Sequence, residues 1–120
     1  PFVGPAGRIL SDALQAAAAR LGLPPLLIAA DHETGQLHAM GDGATPFAGA
    51  MALGAVGDAG LAERVAFAIG TELRAMGVNL VYAPDCDLAT NPRNPVAGAL
   101  KSLTRRVVGR RRLPRVRAWR

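Results

Sequence analysis

The side chains able to do chemistry fall into two short clusters, each directly after an apolar run. Asp31, His32 and Glu33 follow Leu26-Leu27-Ile28-Ala29-Ala30, and Asp85 and Asp87 flank Cys86 after Val78-Asn79-Leu80-Val81-Tyr82-Ala83 and Pro84. Polar clusters placed directly after apolar runs are candidate ligand-binding residues. Any one acid taken alone reads first as a loop or cap residue bonded to nearby backbone N–H groups, and it is their placement together that raises the ligand-binding reading. A metal site is not expected. Adjacent residues on an extended chain point in alternate directions, and no second cluster of histidines or cysteines completes a coordination shell. The Cys86 thiolate would be disfavoured by Asp85 and Asp87, so Cys86 reads as a buried small residue rather than a nucleophile. Gly41, Gly43 and Gly49 lack the spacing and following lysine of a phosphate-binding loop.

The elements that carry these clusters can be read from periodicity. Residues 8–21 predict a helix, with Ser11 and Asp12 as candidate caps, Leu14, Ala17, Ala18 and Leu21 at helical spacing, and Gly22 and Pro24 as its stop. Residues 26–30 predict a buried parallel strand. Residues 31–57 are glycine-rich and predict a long loop with one helical turn near Ala48 to Leu53. Asp58 is placed to cap a helix whose apolar positions are Leu61, Val65, Ala68, Ile69, Leu73 and Met76, and Gly77 supplies a left-handed C-cap. Residues 78–83 predict a second strand, ended by Pro84. Two parallel strands joined through a helix make the repeating unit of α/β folds, and both polar clusters then lie at the carboxyl ends of strands, the edge where such sheets bind ligands.

Composition narrows the classes further. The chain has 120 residues, half of them hydrophobic, and one cysteine, which leaves stability to apolar packing. No apolar run approaches the roughly 18 residues of a membrane span, and no leader pattern opens the chain, so neither a membrane nor a freshly secreted reading is favoured. The start at Pro1 rather than methionine marks the chain as a candidate fragment. The net charge of +5 is unevenly spread: residues 1–100 carry five arginines and all nine acids, net −4, whereas residues 101–120 carry Lys101 and eight arginines, net +9. So abrupt a step marks a boundary.

Specific motifs add to this reading. Leu26 to Gly35, reading LLIAADHETG, with Gln36-Leu37-His38-Ala39-Met40-Gly41, Thr45-Pro46-Phe47, Met51-Ala52-Leu53-Gly54-Ala55, the segment Ala68 to Asn79, and YAPDCDLATNPRNPVAG from Tyr82 to Gly98, resembles the N-terminal domain of glycoside hydrolase family 3, most closely its β-N-acetylhexosaminidase-like branch. The resemblance covers residues 1–98. It implies a (β/α)8 TIM barrel, of which this chain holds about two βα units. It also implies retaining hydrolysis of terminal β-N-acetylhexosaminides or β-glucosides in carbohydrate metabolism, with a β-linked glycan or N-acetylhexosaminide as partner and no cofactor, metal or membrane. Asp31 matches the family aspartate that accepts hydrogen bonds from sugar hydroxyls, and Asp87 matches a second, supporting aspartate near the site. This chain has Glu33-Thr34-Gly35 where the family often has two glycines after the glutamate, and Gln36 and Ala39 where related enzymes carry arginines. The family's sugar-binding arginine after the Asn94 to Gly98 motif is replaced by Ala99-Leu100-Lys101-Ser102-Leu103.

The resemblance also implies what the chain does not hold. The family's lysine-histidine clamp, acid/base loop and nucleophilic aspartate lie on later strands, so no catalytic residue is assigned and the chain alone is expected to be inactive. His32 and His38 match non-catalytic positions and read as solvated loop histidines. Residues 99–120 form a separate basic tail, read as disordered. Arg105-Arg106, Arg110-Arg111-Arg112, Arg115, Arg117 and Arg120 with Trp119 support an alternative, non-enzymatic reading in which residues 101–120 bind nucleic acid or another polyanion. The favoured reading of the tail is a reading-frame shift in GC-rich coding sequence, which predicts the missing barrel motifs in another frame past the codon for Gly98.

Overall fold

A computed structural model describes residues 4–35, 37–84 and 93. The chain opens with helix α1 (Gly4–Arg20), then passes through strands β1 (Ala29–Ala30), β2 (His32–Thr34) and β3 (Leu37–His38). A 3-10 turn (Gly41–Gly43), helices α2 (Ala50–Val56) and α3 (Ala59–Ala75), and strand β4 (Leu80–Val81) complete the described elements. β1 and β4 pair in parallel, Ala29 with Leu80 and Ala30 with Val81, so α3 lies on the crossover between them. The β-helix-β unit expected from the sequence is therefore present. β2 and β3 form a separate antiparallel hairpin, irregular between His32 and Thr34. Among the described residues, no helix is long and apolar enough to cross a membrane.

Helix α3 has the boundaries its residues predict. Asp58 Oδ1 accepts from the Gly60 amide at 2.8 Å, satisfying one of the helix's orphan donors. At the other end Gly77 takes φ +83°, the Val78 amide donates to the Leu73 carbonyl and the Gly77 amide to the Arg74 carbonyl, both at 3.0 Å. This is the Schellman arrangement, which needs a left-handed residue and so favours glycine. α1 ends the same way: Gly22 has φ +68°, and Leu23 and Gly22 donate to Ala18 and Ala19.

The start of α1 departs from expectation. The helix begins at Gly4, so Ser11 and Asp12 lie in its interior and cap nothing. Asp12 accepts from Arg8 Nε at 2.8 Å one turn away, and Ser11 is buried, its hydroxyl donating to the Met76 carbonyl at 3.0 Å. Ser11 thus serves the end of a different helix, a tertiary role that a local capping pattern does not reveal.

The predicted strands are shorter than expected, Ala29–Ala30 and Leu80–Val81, and at the start of the first, side chains take part of the backbone. The backbone of Leu26 is held by the Gln15 side chain, which donates to its carbonyl and accepts from its amide, each at 2.9 Å. Asn79 adds a donor to the Leu26 carbonyl at 2.9 Å and an acceptor for the Ile28 amide at 2.7 Å. Two side-chain amides therefore satisfy the backbone of Leu26 and the Ile28 amide, whereas the Ile28 carbonyl accepts from the Asn79 and Leu80 amides at 3.0 and 3.1 Å, the start of the pairing that continues through Ala29–Ala30. The strand is also not buried on both faces. Ala30 is buried while Leu27 is 77% exposed and Ala29 is exposed.

The core is small: Ala30, Met40, Ala44, Leu73, Met76 and Val78, with Ile69 and Val81 packed against it. It joins the sheet, the C-terminal half of α3 and the segment after β3. That segment was expected to be a loop with one helical turn. It instead contains the hairpin, the 3-10 turn and the two turns of α2, whose C-cap Gly57 has φ +70°.

Candidate functional site

Parallel pairing brings the ends of β1 and β4 to one edge. One position beyond the last paired residues, Asp31 stands opposite Tyr82, and the Tyr82 amide donates to the Ala30 carbonyl at 2.9 Å. Both side chains are exposed. The Asp31 carboxylate takes no hydrogen bond from the described residues, which leaves its acceptor lone pairs open to a ligand. Asp85, Cys86 and Asp87 lie outside the described residues, so the second expected cluster, including the candidate sugar-site residue Asp87, is not placed.

Immediately after Asp31 the chain turns into the β2–β3 hairpin, which folds its histidines inward. His32 pairs with His38 across the hairpin, their ring centroids 4.5 Å apart and the planes inclined by 54°. His32 is 1% exposed and His38 half-buried, which corrects their expected place as solvated loop residues. The turn requires left-handed backbone at Thr34 (φ +72°) and Gly35 (φ +62°). Thr34 is β-branched and unfavourable in that region, and it is retained with its hydroxyl donating to the Ala48 carbonyl at 3.3 Å.

The hairpin is tied to the rest of the fold from two sides. His38 Nε2 lies 2.7 Å from the Gly41 carbonyl and 3.2 Å from the Ala44 carbonyl, and carbonyls only accept, so Nε2 carries the hydrogen. Glu72 on α3 accepts from the Thr45 amide at 2.8 Å and from its hydroxyl at 2.5 Å. Burial lowers the His32 pKa below the ordinary histidine value and the neighbouring His38 lowers it further, while the Glu72 carboxylate pulls the other way. Asp31, His32 and Glu33 are exposed, buried and half-buried in turn, so the three side chains do not converge. Among the described residues no three His, Cys, Asp or Glu side chains gather as metal ligands.

The histidine pair escaped the sequence reading. The available signal was Gly35 between two histidines six residues apart; a regular turn at 35–36 would set His32 opposite Ala39, and the irregularity between His32 and Thr34 sets it opposite His38 instead.

Comparison with known proteins bears on this geometry. The Glycosyl hydrolase family 3 N terminal domain matches residues 6–110, a span that runs past Gly98 into the basic segment. A β-hexosaminidase A of Pseudoalteromonas piscicida is 43% identical over 93 residues, covering 72% of this chain and 15% of the relative. A β-N-acetylglucosaminidase/β-glucosidase of Cellulomonas fimi is 40% identical over 72 residues, covering 60% of this chain and 13% of the relative. A solved family 3 β-N-acetylglucosaminidase from Paenibacillus sp. str. FPU-7 superposes with a TM-score of 0.74 at 47% identity, over 76% of this chain and 17% of that one. The chain thus spans less than a quarter of each of these proteins, and its described elements form part of a TIM-barrel α/β fold. A match across most of the chain, in sequence and in fold, establishes that it belongs to glycosyl hydrolase family 3, within the N-terminal domain.

Proposed function

We propose that this chain supplies part of the sugar-binding face of a family 3 glycosidase barrel that hydrolyses terminal β-N-acetylhexosaminides or β-glucosides with retention of configuration. The observation that carries the reading is Asp31: an exposed carboxylate without a protein donor among the described residues, at the carboxyl end of a parallel strand, on the position that matches the family's sugar-binding aspartate. Such a carboxylate can accept two vicinal sugar hydroxyls, and ligands of α/β barrels bind at this edge. Asp87 is assigned a supporting role on the same reading. Retention requires one group that acts as acid and then as base, and a carboxylate that forms the glycosyl-enzyme intermediate. Neither is assigned among these 120 residues, so the chain contributes binding and orientation rather than bond cleavage.

The test has two parts. The purified chain should give no hydrolysis of a chromogenic N-acetylglucosaminide, and measurable turnover by a clean preparation would overturn the division of labour. N-acetylglucosamine should show weak binding, roughly millimolar as expected for a few hydroxyl contacts, by saturation-transfer NMR. Asp31→Asn should abolish that signal and Asp42→Asn, at another exposed carboxylate, should not; equal signals from both variants would remove Asp31 from the site.

A further inference from the structure

We propose that His32 and His38 form a proton-sensitive latch that positions Asp31. With both rings neutral the hairpin is closed against the sheet edge; with His32 protonated the hairpin releases, and Asp31 loses its fixed place. The functional consequence rests on the sugar-binding reading of Asp31, whereas the latch itself rests on the packing of the two rings.

Asp31 is the single residue between the last paired residue of β1 and the first of β2. Its backbone is therefore gripped on one side by Ala30, held in the sheet with Val81, and on the other by His32, buried in the hairpin. Loosening the hairpin frees one of those two grips. No other described element separates Asp31 from the histidine pair.

The packing tolerates only limited protonation. His38 already uses its Nε2 hydrogen on the Gly41 and Ala44 carbonyls, so a second proton must go to Nδ1. That atom, and Nδ1 of His32, are buried and find no hydrogen-bond partner among the described residues. A bare ring nitrogen without a donor is a modest loss, but an N–H carrying positive charge without an acceptor is a much larger one. A charge on each ring would add repulsion across 4.5 Å in a poorly solvated setting.

The groups acting on His32 come from three elements. His38 on β3 disfavours its charge; Glu72 on α3 favours it, but that carboxylate already accepts two hydrogen bonds from Thr45. Exposed Asp31, just before its strand, and half-buried Glu33, on it, flank His32, and exposed Asp42 sits in the turn that holds His38. The net effect lowers the His32 pKa, in keeping with a ring that stays neutral while the hairpin is closed.

The test uses the full chain with histidine-selective 15N labelling, followed from about pH 8 to about pH 5, the range that spans histidine titration. Long-range 1H–15N spectra should show His38 as the Nε2–H tautomer at the upper end and His32 titrating below free imidazole. Amide exchange of residues 32–38, corrected for intrinsic rates, should accelerate by up to about tenfold per pH unit as His32 becomes protonated, while amides of α3 stay protected. The backbone shifts of Asp31 should move with the same midpoint. His32→Gln, which cannot acquire charge, should remove the pH step. Should that variant not fold, the wild-type tautomer and exchange data still decide the matter. His32 titrating at or above the free value, or hairpin exchange flat across the range, overturns the latch; Asp31 shifts that ignore an opening hairpin overturn the positioning. An opening hairpin coupled to Asp31, with no sugar signal at any pH, upholds the latch and removes the sugar reading instead.

Discussion

The Cβ that Gly77 lacks would lie 2.4 Å from the Ser11 Cβ and 2.8 Å from its Oγ. Glycine is thus required there twice over, by its left-handed φ of +83° and by the close approach of α1. The same approach lets the Ser11 hydroxyl reach the Met76 carbonyl at the end of α3. Helix α1 is therefore docked on the turn that feeds β4, and the seam between them has no room for a methyl group.

Gly77→Ala should destabilise the chain by about 2–4 kcal/mol, combining roughly 1 kcal/mol for the left-handed backbone with the cost of overpacking against Ser11. Ser11→Ala leaves a buried carbonyl without its donor and should cost about 1–2 kcal/mol. Urea midpoints check both. A Gly77→Ala chain as stable as the parent would mean that α1 does not pack as described.

Glu72 holds Thr45 through both the amide and the hydroxyl. Glu72→Ala should therefore expose the Thr45 amide to exchange and lower stability by about 0.5–1.5 kcal/mol, the range for charge-assisted bonds discounted for their exposure. It should also move the His32 titration further down, since Glu72 is the group that raises it. An unchanged Thr45 amide would dismiss this contact.

Stability should fall on mild acidification. The His32 pKa is lowered by folding, so the unfolded chain binds a proton before the folded chain does. The contribution of neutral His32 is fully present above the ordinary value of 6.5 and is lost as pH drops from there toward the folded value, at up to about 1.4 kcal/mol per pH unit. Below the folded value both states carry the proton and this loss stops. Thermal melts across this range in the parent and in His32→Gln isolate the effect; parallel curves would assign the acid sensitivity elsewhere.

Large apolar side chains remain exposed, among them Ile9 at 70%, Leu21 at 74%, Leu27 at 77% and Phe67 at 63%. Together with the short β1–β4 pairing, they predict self-association in isolation. Sedimentation velocity should show a weight-average mass that rises with concentration, and Leu27→Lys should reduce it while changing stability by no more than about 0.5 kcal/mol. A monomer at every concentration tested would count against the prediction.

Much of the fold could be read in advance wherever the signal was local. Asp58 and Gly77 bracket α3 because a cap needs only its own helix end. The crossover and the place of Asp31 at a strand's carboxyl end follow from the order of apolar runs and the helix between them. The family motifs from Leu26 to Gly98 were legible for the same reason, since motif order is a property of the chain itself.

What could not be read in this way depended on segments distant along the chain. Ser11 looks like a cap until α1 meets Met76 across 65 positions, and Leu26 looks like ladder until the Gln15 and Asn79 side chains take its backbone groups. His32 looks solvated until Glu72, His38 and the core close around it. Residue type and spacing settle which backbone shapes a segment can adopt at low cost; which polar groups meet, and which titratable ring loses its water, is settled by packing between segments that spacing alone does not relate.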